Sequence, residues 1–185
     1  MTRPMPNGRR RVDQVLAPEF LEGLSDLPLA DLRARRREAE QEEADLSYLR
    51  RLLHGRMSII EAELRHRDPD VESGSVVDEL ASILGDEQRS TRRLGRHLTV
   101  EPSRVDEHRR SEEQIIADAV MSDVAVRTDA ELRDALERLA AHEVEVSEVR
   151  RAVQNAMDTL SAELTARYRD GSATVDELLA PGAGA

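Results

Sequence analysis

One stretch of this sequence is written twice, one hundred residues apart, and any fold has to accommodate both copies. Leu32-Arg33, Glu43, Ser47, Arg50-Arg51, Met57, Ala62-Glu63-Leu64 and Arg67 return without a gap as Leu132-Arg133, Glu143, Ser147, Arg150-Arg151, Met157, Ala162-Glu163-Leu164 and Arg167. Val77-Asp78-Glu79-Leu80 then returns as Val175-Asp176-Glu177-Leu178. A repeated unit with one apolar face needs a neighbour to bury that face. Two such units in one chain most simply pack on each other as an antiparallel hairpin.

The repeated stretch carries a helical seam. In the second copy Leu132, Leu136, Leu139, Glu143, Val146, Arg150, Val153, Met157, Leu160 and Leu164 alternate by four and three, which is a heptad pattern. The first copy does the same with Leu32, Ala39, Glu43, Leu46, Arg50, Leu53, Met57, Ile60 and Leu64. The fold class that follows is all-α: an antiparallel two-helix coiled coil with short flanking helices and a long, partly flexible connection.

Proline, glycine and capping residues place the boundaries. Residues 1–24, with Pro4, Pro6, Gly8, Pro18 and Gly23, read as a flexible N-terminal tail. The first long helix is predicted over 25–67, entered through Ser25 to Pro28 and stopped by Asp68-Pro69-Asp70. A short docking helix follows in 68–85, opened by a capping-box-like Ser75-Val76-Val77-Asp78 and closed by Gly85. Residues 86–127 read as a linker with a possible helix around Ile115-Ile116. The second long helix is predicted over 128–169. A second short docking helix and a tail occupy 170–185.

Composition excludes several classes of function. There is no Cys, so disulfides, thiolate metal sites and thiol catalysis are absent. Aromatic residues are only 2% of the chain, too few for a large compact core. No apolar run approaches the roughly 18 residues of a membrane helix, and Arg9-Arg10-Arg11 is followed by no apolar segment of a secretion signal. A cytoplasmic protein without membrane contact is expected. The formal net charge of −11 disfavours direct DNA binding and suits a partner with a basic face. His66, His97, His108 and His142 show no metal-ligand spacing and read as solvated helix or linker residues. The acidic run from Glu38 to Asp45 reads as a solvated face or partner surface. No nucleophile or acid–base pair stands out, so the chain is expected not to be an enzyme and to hold no metal.

The charges in the seam ask for an explanation, because an ion buried without a partner costs several kcal/mol. Glu143 and Arg150 stand where apolar knobs belong, and Glu43 and Arg50 occupy the same places in the first copy. A pair of polar seam residues commonly fixes register. Here the pattern runs further. Glu143, Ser147, Arg150, Gln154 and Asp158 follow at spacings that put all five on one helix face. Such a stripe fits the lining of a polar ligand site. Arginine in an acidic chain points to an anion. Its guanidinium can fork onto guanine or stack on a base, and a carboxylate can accept from the guanine N1–H and amino group. A doubled site suits a two-fold symmetric ligand such as cyclic di-GMP.

The spacing Glu143-x3-Ser147-x2-Arg150-x3-Gln154-x3-Asp158 resembles the motif of the RsiG-type anti-sigma factors of actinobacteria. The first helix resembles a degenerate copy: Glu43, Ser47 and Arg50 match, while His54 stands in the Gln place and Ser58 in the Asp place. The resemblance implies an antiparallel coiled coil whose two motif copies together bind a partly intercalated dimer of cyclic di-GMP. It also implies a partner, a sporulation sigma factor of the WhiG type, held away from RNA polymerase while the nucleotide is bound. The implied ligand residues are Glu43, Ser47, Arg50, His54, Ser58, Glu143, Ser147, Arg150, Gln154 and Asp158. Ser58 supplies no carboxylate, so one guanine edge is expected to be read less strongly, or by the second helix alone. The competing reading is a ligand-independent coiled-coil adaptor whose polar stripe serves only register and partner choice.

Overall fold

The computed structural model describes residues 4–5, 8–68 and 121–171. Two long helices dominate them. A short helix α1 (Arg11–Val15) and 3-10 turns at Pro18–Phe20 and Leu24–Asp26 precede α2 (Leu29–Arg67). A 3-10 segment, Met121–Val126, precedes α3 (Asp129–Arg169). The described residues are all-helical, with the two long helices packed against each other. The predicted docking helices in 68–85 and 170–185, and most of the 86–127 linker, lie outside the described residues. The part of that linker that is described, 121–127, forms the 3-10 approach to α3.

The helix ends follow local chemistry. α2 begins four residues later than expected, because Ser25 and Asp26 close a 3-10 turn and Pro28 supplies the first accepting carbonyl, to the Asp31 and Leu32 amides. α3 starts on a capping box: Thr128 Oγ1 accepts from the Glu131 amide at 3.3 Å, and the Glu131 carboxylate accepts from the Thr128 amide at 2.8 Å. Those two Thr128 groups, amide then hydroxyl, hold the Glu131 carboxyl below its usual range. Gly171, at φ +81°, terminates α3 in the left-handed region.

The chain divides into two compact units: residues 1–44 with 148–185, and residues 45–147. Each long helix contributes to both. In the first unit Leu32, Ala39, Val149, Val153, Ala156, Leu160 and Leu164 are buried, together with Val12, Val15 and Phe20. In the second unit the buried apolar residues are Leu46, Leu49, Leu53, Ile60, Leu132, Ala135, Leu139 and Val146. Most seam positions predicted from the heptads are among these. Leu49, Ala135, Val149 and Ala156 flank the seam and were not expected.

Two expectations are corrected here. Residues 1–24 are not a loose tail where they are described. The Asp13 carboxylate ties α1 together, accepting from the Met5 amide at 2.7 Å and from Arg10 Nε and Nη2 at 2.8 and 2.7 Å. Arg35 reaches back from α2 to the Phe20 carbonyl at 2.6 Å, with its guanidinium 5.7 Å from the ring centroid. The acidic run is not fully solvated either. Glu42 and Asp45 are buried, because they sit beside the seam position Leu46 on the helix surface rather than opposite it. Each has an interaction partner, as burial of a carboxylate requires.

One device repeats with the sequence. In the first unit Arg167 donates to the carbonyls of Leu27 at 2.6 Å, Leu24 at 2.6 Å and Ser25 at 3.0 Å, while Glu163 holds its Nε at 3.0 Å. In the second unit Arg67 donates to Arg127, Val124 and Ala125 carbonyls at 2.5, 2.9 and 3.1 Å, with Glu63 on its Nε at 2.7 Å. These partners differ by one hundred throughout; Arg67 alone adds a further carboxylate, Asp129, at 3.0 Å. Each long helix thus ends on an arginine that clamps the approach to the other, which requires the two to run antiparallel. Arg167→Ala is expected to lower the unfolding free energy by about 2 kcal/mol, since it removes several charge-assisted hydrogen bonds at once. Arg167→Lys should not restore it, lacking the planar fork. Urea denaturation of the variants checks both.

Gly55 lies inside α2, and a Cβ placed there would meet nothing within 4 Å. Gly55→Ala is therefore expected to raise stability by about 0.5–1 kcal/mol through the unfolded chain's entropy, measured in the same denaturation.

Candidate functional site

The motif residues assemble by exchange between the helices. In the first unit the Glu43 carboxylate of α2 takes Arg150 Nη1 and Gln154 Nε2 of α3 on one oxygen, at 2.8 and 3.0 Å. In the second unit the Glu143 carboxylate of α3 takes Arg50 Nε at 2.9 Å and lies 3.2 Å from His54 Nε2, both of α2. Ser147, one turn along α3, donates to the same Glu143 oxygen at 2.7 Å. Each cluster therefore combines the glutamate of one motif copy with the arginine and fourth motif residue of the other. Helix periodicity explains why the residues of one copy share a face; antiparallel packing decides which of them meet.

Both glutamates are partly covered, their side chains 13% and 17% exposed, yet neither is sealed. Partial burial works to push the Glu143 carboxyl up, but hydrogen bonds from Ser147 and Arg50 and the neighbouring His54 outweigh it, and it sits below the usual carboxylate range. The sign follows. A carboxyl depressed in the folded state stabilises the fold above its unfolded pKa, and that contribution is lost as pH falls through the folded value. At neutral pH the cluster is charged and held together.

Of the remaining sequence-predicted residues, Asp158 and Ser58 sit on the same rows without joining either network among the described residues, and Ser47 has an interaction partner of its own. Asp158 is exposed one turn beyond Gln154, and Ser58 is half-covered one turn beyond His54. Neither makes a side-chain hydrogen bond among the described residues. Ser47 stands in α2 one turn before Arg51, whose Nε lies 3.4 Å from its carbonyl. Arg50 and Arg150 are each matched to a carboxylate of the opposite helix. The pairing across helices was invisible in the spacing because it depends on relative register.

Among the described residues no cluster of side chains suits a metal ion, and no helix is long and apolar enough to cross a membrane. His142 departs from the solvated role expected of it: it is half-covered, and burial pushes its imidazole below the usual value.

Chemically, each cluster presents a guanidinium, a carboxylate and a neutral or titratable donor on a partly open surface. The arrangement can exchange partners: an incoming anion can take the arginine, and the released carboxylate can accept from a ligand N–H. The chain matches the model of the RsiG-like family over residues 18–84 and 118–181, most of its length. Those segments fall on the two copies of the repeat. No curated protein gives a significant match.

Proposed function

The chain belongs to the RsiG-like family, which makes it an anti-sigma-factor-type regulator, and from that premise we propose that it is a cyclic di-GMP-responsive anti-sigma factor that sequesters a WhiG-like sporulation sigma factor. The observation that carries the ligand reading is the pair of crossed clusters, Glu43 with Arg150 and Gln154, and Glu143 with Arg50, His54 and Ser147. Arginine meets phosphate or the guanine O6 and N7 acceptors, and a carboxylate meets the guanine N1–H and amino donors. Guanine presents those donors together, so the set favours guanine over adenine nucleotides.

The mechanism is an exchange of ion pairs. Without ligand, each arginine is neutralised by the other helix's glutamate. Nucleotide phosphates take over the arginines, and the glutamates, with the exposed Asp158, become available to the base edges. The ligand replaces a direct pair with a bridged one and so favours one particular spacing of the helices. A ligand shifts a conformational equilibrium only by its differential affinity for the two states, and this difference in bridging supplies it. The acidic exterior complements the basic surfaces a sigma factor uses for DNA.

The adaptor reading has an observation of its own: the Glu–Arg pairs are complete without any ligand, as a register pin would be. Calorimetric titration of the whole chain with cyclic di-GMP, against GTP and cyclic di-AMP, separates the two. Saturable heat with cyclic di-GMP only, and sigma-factor capture that depends on it, is the expected result. Equal capture with and without nucleotide would leave the adaptor standing.

A further inference from the structure

The exchange between helices has an uneven consequence. The two departures from the family motif, His54 and Ser58, both lie on α2 beside Arg50, so both fall in the second unit, with Glu143. The Glu43 cluster holds none: it has Arg150, Gln154 and, one turn on, Asp158. A degenerate copy of the motif thus becomes one fully furnished cluster and one altered cluster, not two equally weakened ones.

Resting on the nucleotide reading above, we infer that His54 makes the Glu143 cluster a proton-dependent half-site for the anionic ligand, while the Glu43 cluster binds without regard to pH. Gln154 in the first cluster is a neutral amide that does not titrate. His54 in the second is an imidazole, the side chain whose charge changes near physiological pH. Its Nε2 and Arg50 Nε address one and the same Glu143 oxygen, and the ring is 48% exposed, so a ligand phosphate can reach its solvent side while Nε2 keeps the carboxylate. The charged groups beside it are Glu143 from α3 and, one turn earlier on α2, Arg50 and Arg51. Glu143 is held ionised by Ser147 and Arg50 against the upward push of its partial burial. A phosphate placed beside His54 brings a second negative charge to the ring and favours the imidazolium. Binding then takes up a proton, and by linkage the affinity rises as pH falls.

The test is calorimetric titration of the full chain with cyclic di-GMP at about pH 8 and about pH 6. Wild type is expected to bind about three- to ten-fold more tightly at the lower pH, since each unit of pKa shift is worth up to ten-fold. His54→Gln, which copies the residue already bonded to Glu43 in the sister cluster, is expected to bind at both pH values with that difference gone. Proton uptake on binding, read from wild type in buffers of different ionisation enthalpy, gives a second measure that needs no variant; net uptake is expected near pH 7. Unchanged pH dependence in His54→Gln, or no proton uptake in wild type, overturns the inference while leaving nucleotide binding intact. Absence of nucleotide binding at both pH values removes the nucleotide reading and this inference with it.

Discussion

Arg150→Ala should reduce cyclic di-GMP affinity by about a hundred-fold, equivalent to about 2.7 kcal/mol, while leaving the helical content unchanged. The guanidinium sits 2.8 Å from Glu43 and shares that oxygen with Gln154. Its removal takes away the charge that receives the phosphate and leaves a carboxylate facing an anionic ligand, so repulsion adds to the lost contact. Stability should change far less. Glu43 keeps Gln154 as a donor, and a partly exposed ion pair contributes modestly to folding. The two readings of the polar rows separate on this variant. A ligand site predicts a large loss of binding with a small change in melting temperature. A register pin predicts altered helix pairing and no nucleotide effect, because there would be no nucleotide binding to lose. Calorimetric titration and thermal melting of the same preparation decide between them.

Leu53→Ala should cost about 3 kcal/mol and lower the melting temperature by roughly ten degrees. Leu53 is fully buried in the second unit, whose described apolar core contains only Leu, Ile, Val and Ala. No aromatic side chain there can shift to fill the space, and a helix pair has few layers to relax. At a temperature where the variant remains folded, cyclic di-GMP should still bind, because the substituted side chain belongs to the apolar seam and not to the polar row. Leu53→Ala and Arg150→Ala thus form a crossed pair: the first loses stability with binding retained, the second loses binding with stability largely retained. Circular-dichroism melting with and without nucleotide measures both. A Leu53→Ala protein as stable as wild type would mean that the seam is not what holds the helices together.

The Arg67 and Arg167 clamps show how far reading the residues could go. Both arginines, with Glu63 and Glu163, stood out as parts of the repeat, yet no role could be attached to them. The partners they share are backbone carbonyls at 24–27 and 124–127, which have no signature in a sequence. Glu42 and Asp45 misled for a related reason. Charge alone marks a residue as solvated, and only the packing around Leu46 reveals that these two are covered.

What the sequence determined by itself was everything carried by period and punctuation: two long helices, their approximate ends, the apolar seam, and the rows on which Glu43 to Ser58 and Glu143 to Asp158 lie. These are local properties, set by 3.6 residues per turn and by Pro, Gly and capping side chains. What the tertiary structure alone decided was who meets whom. The glutamate of each copy pairs with the arginine of the other, and both departures from the motif fall in the unit that holds Glu143. A side chain's partner across a helix pair depends on the relative direction and axial offset of two segments a hundred residues apart, and no periodicity within either segment encodes that offset.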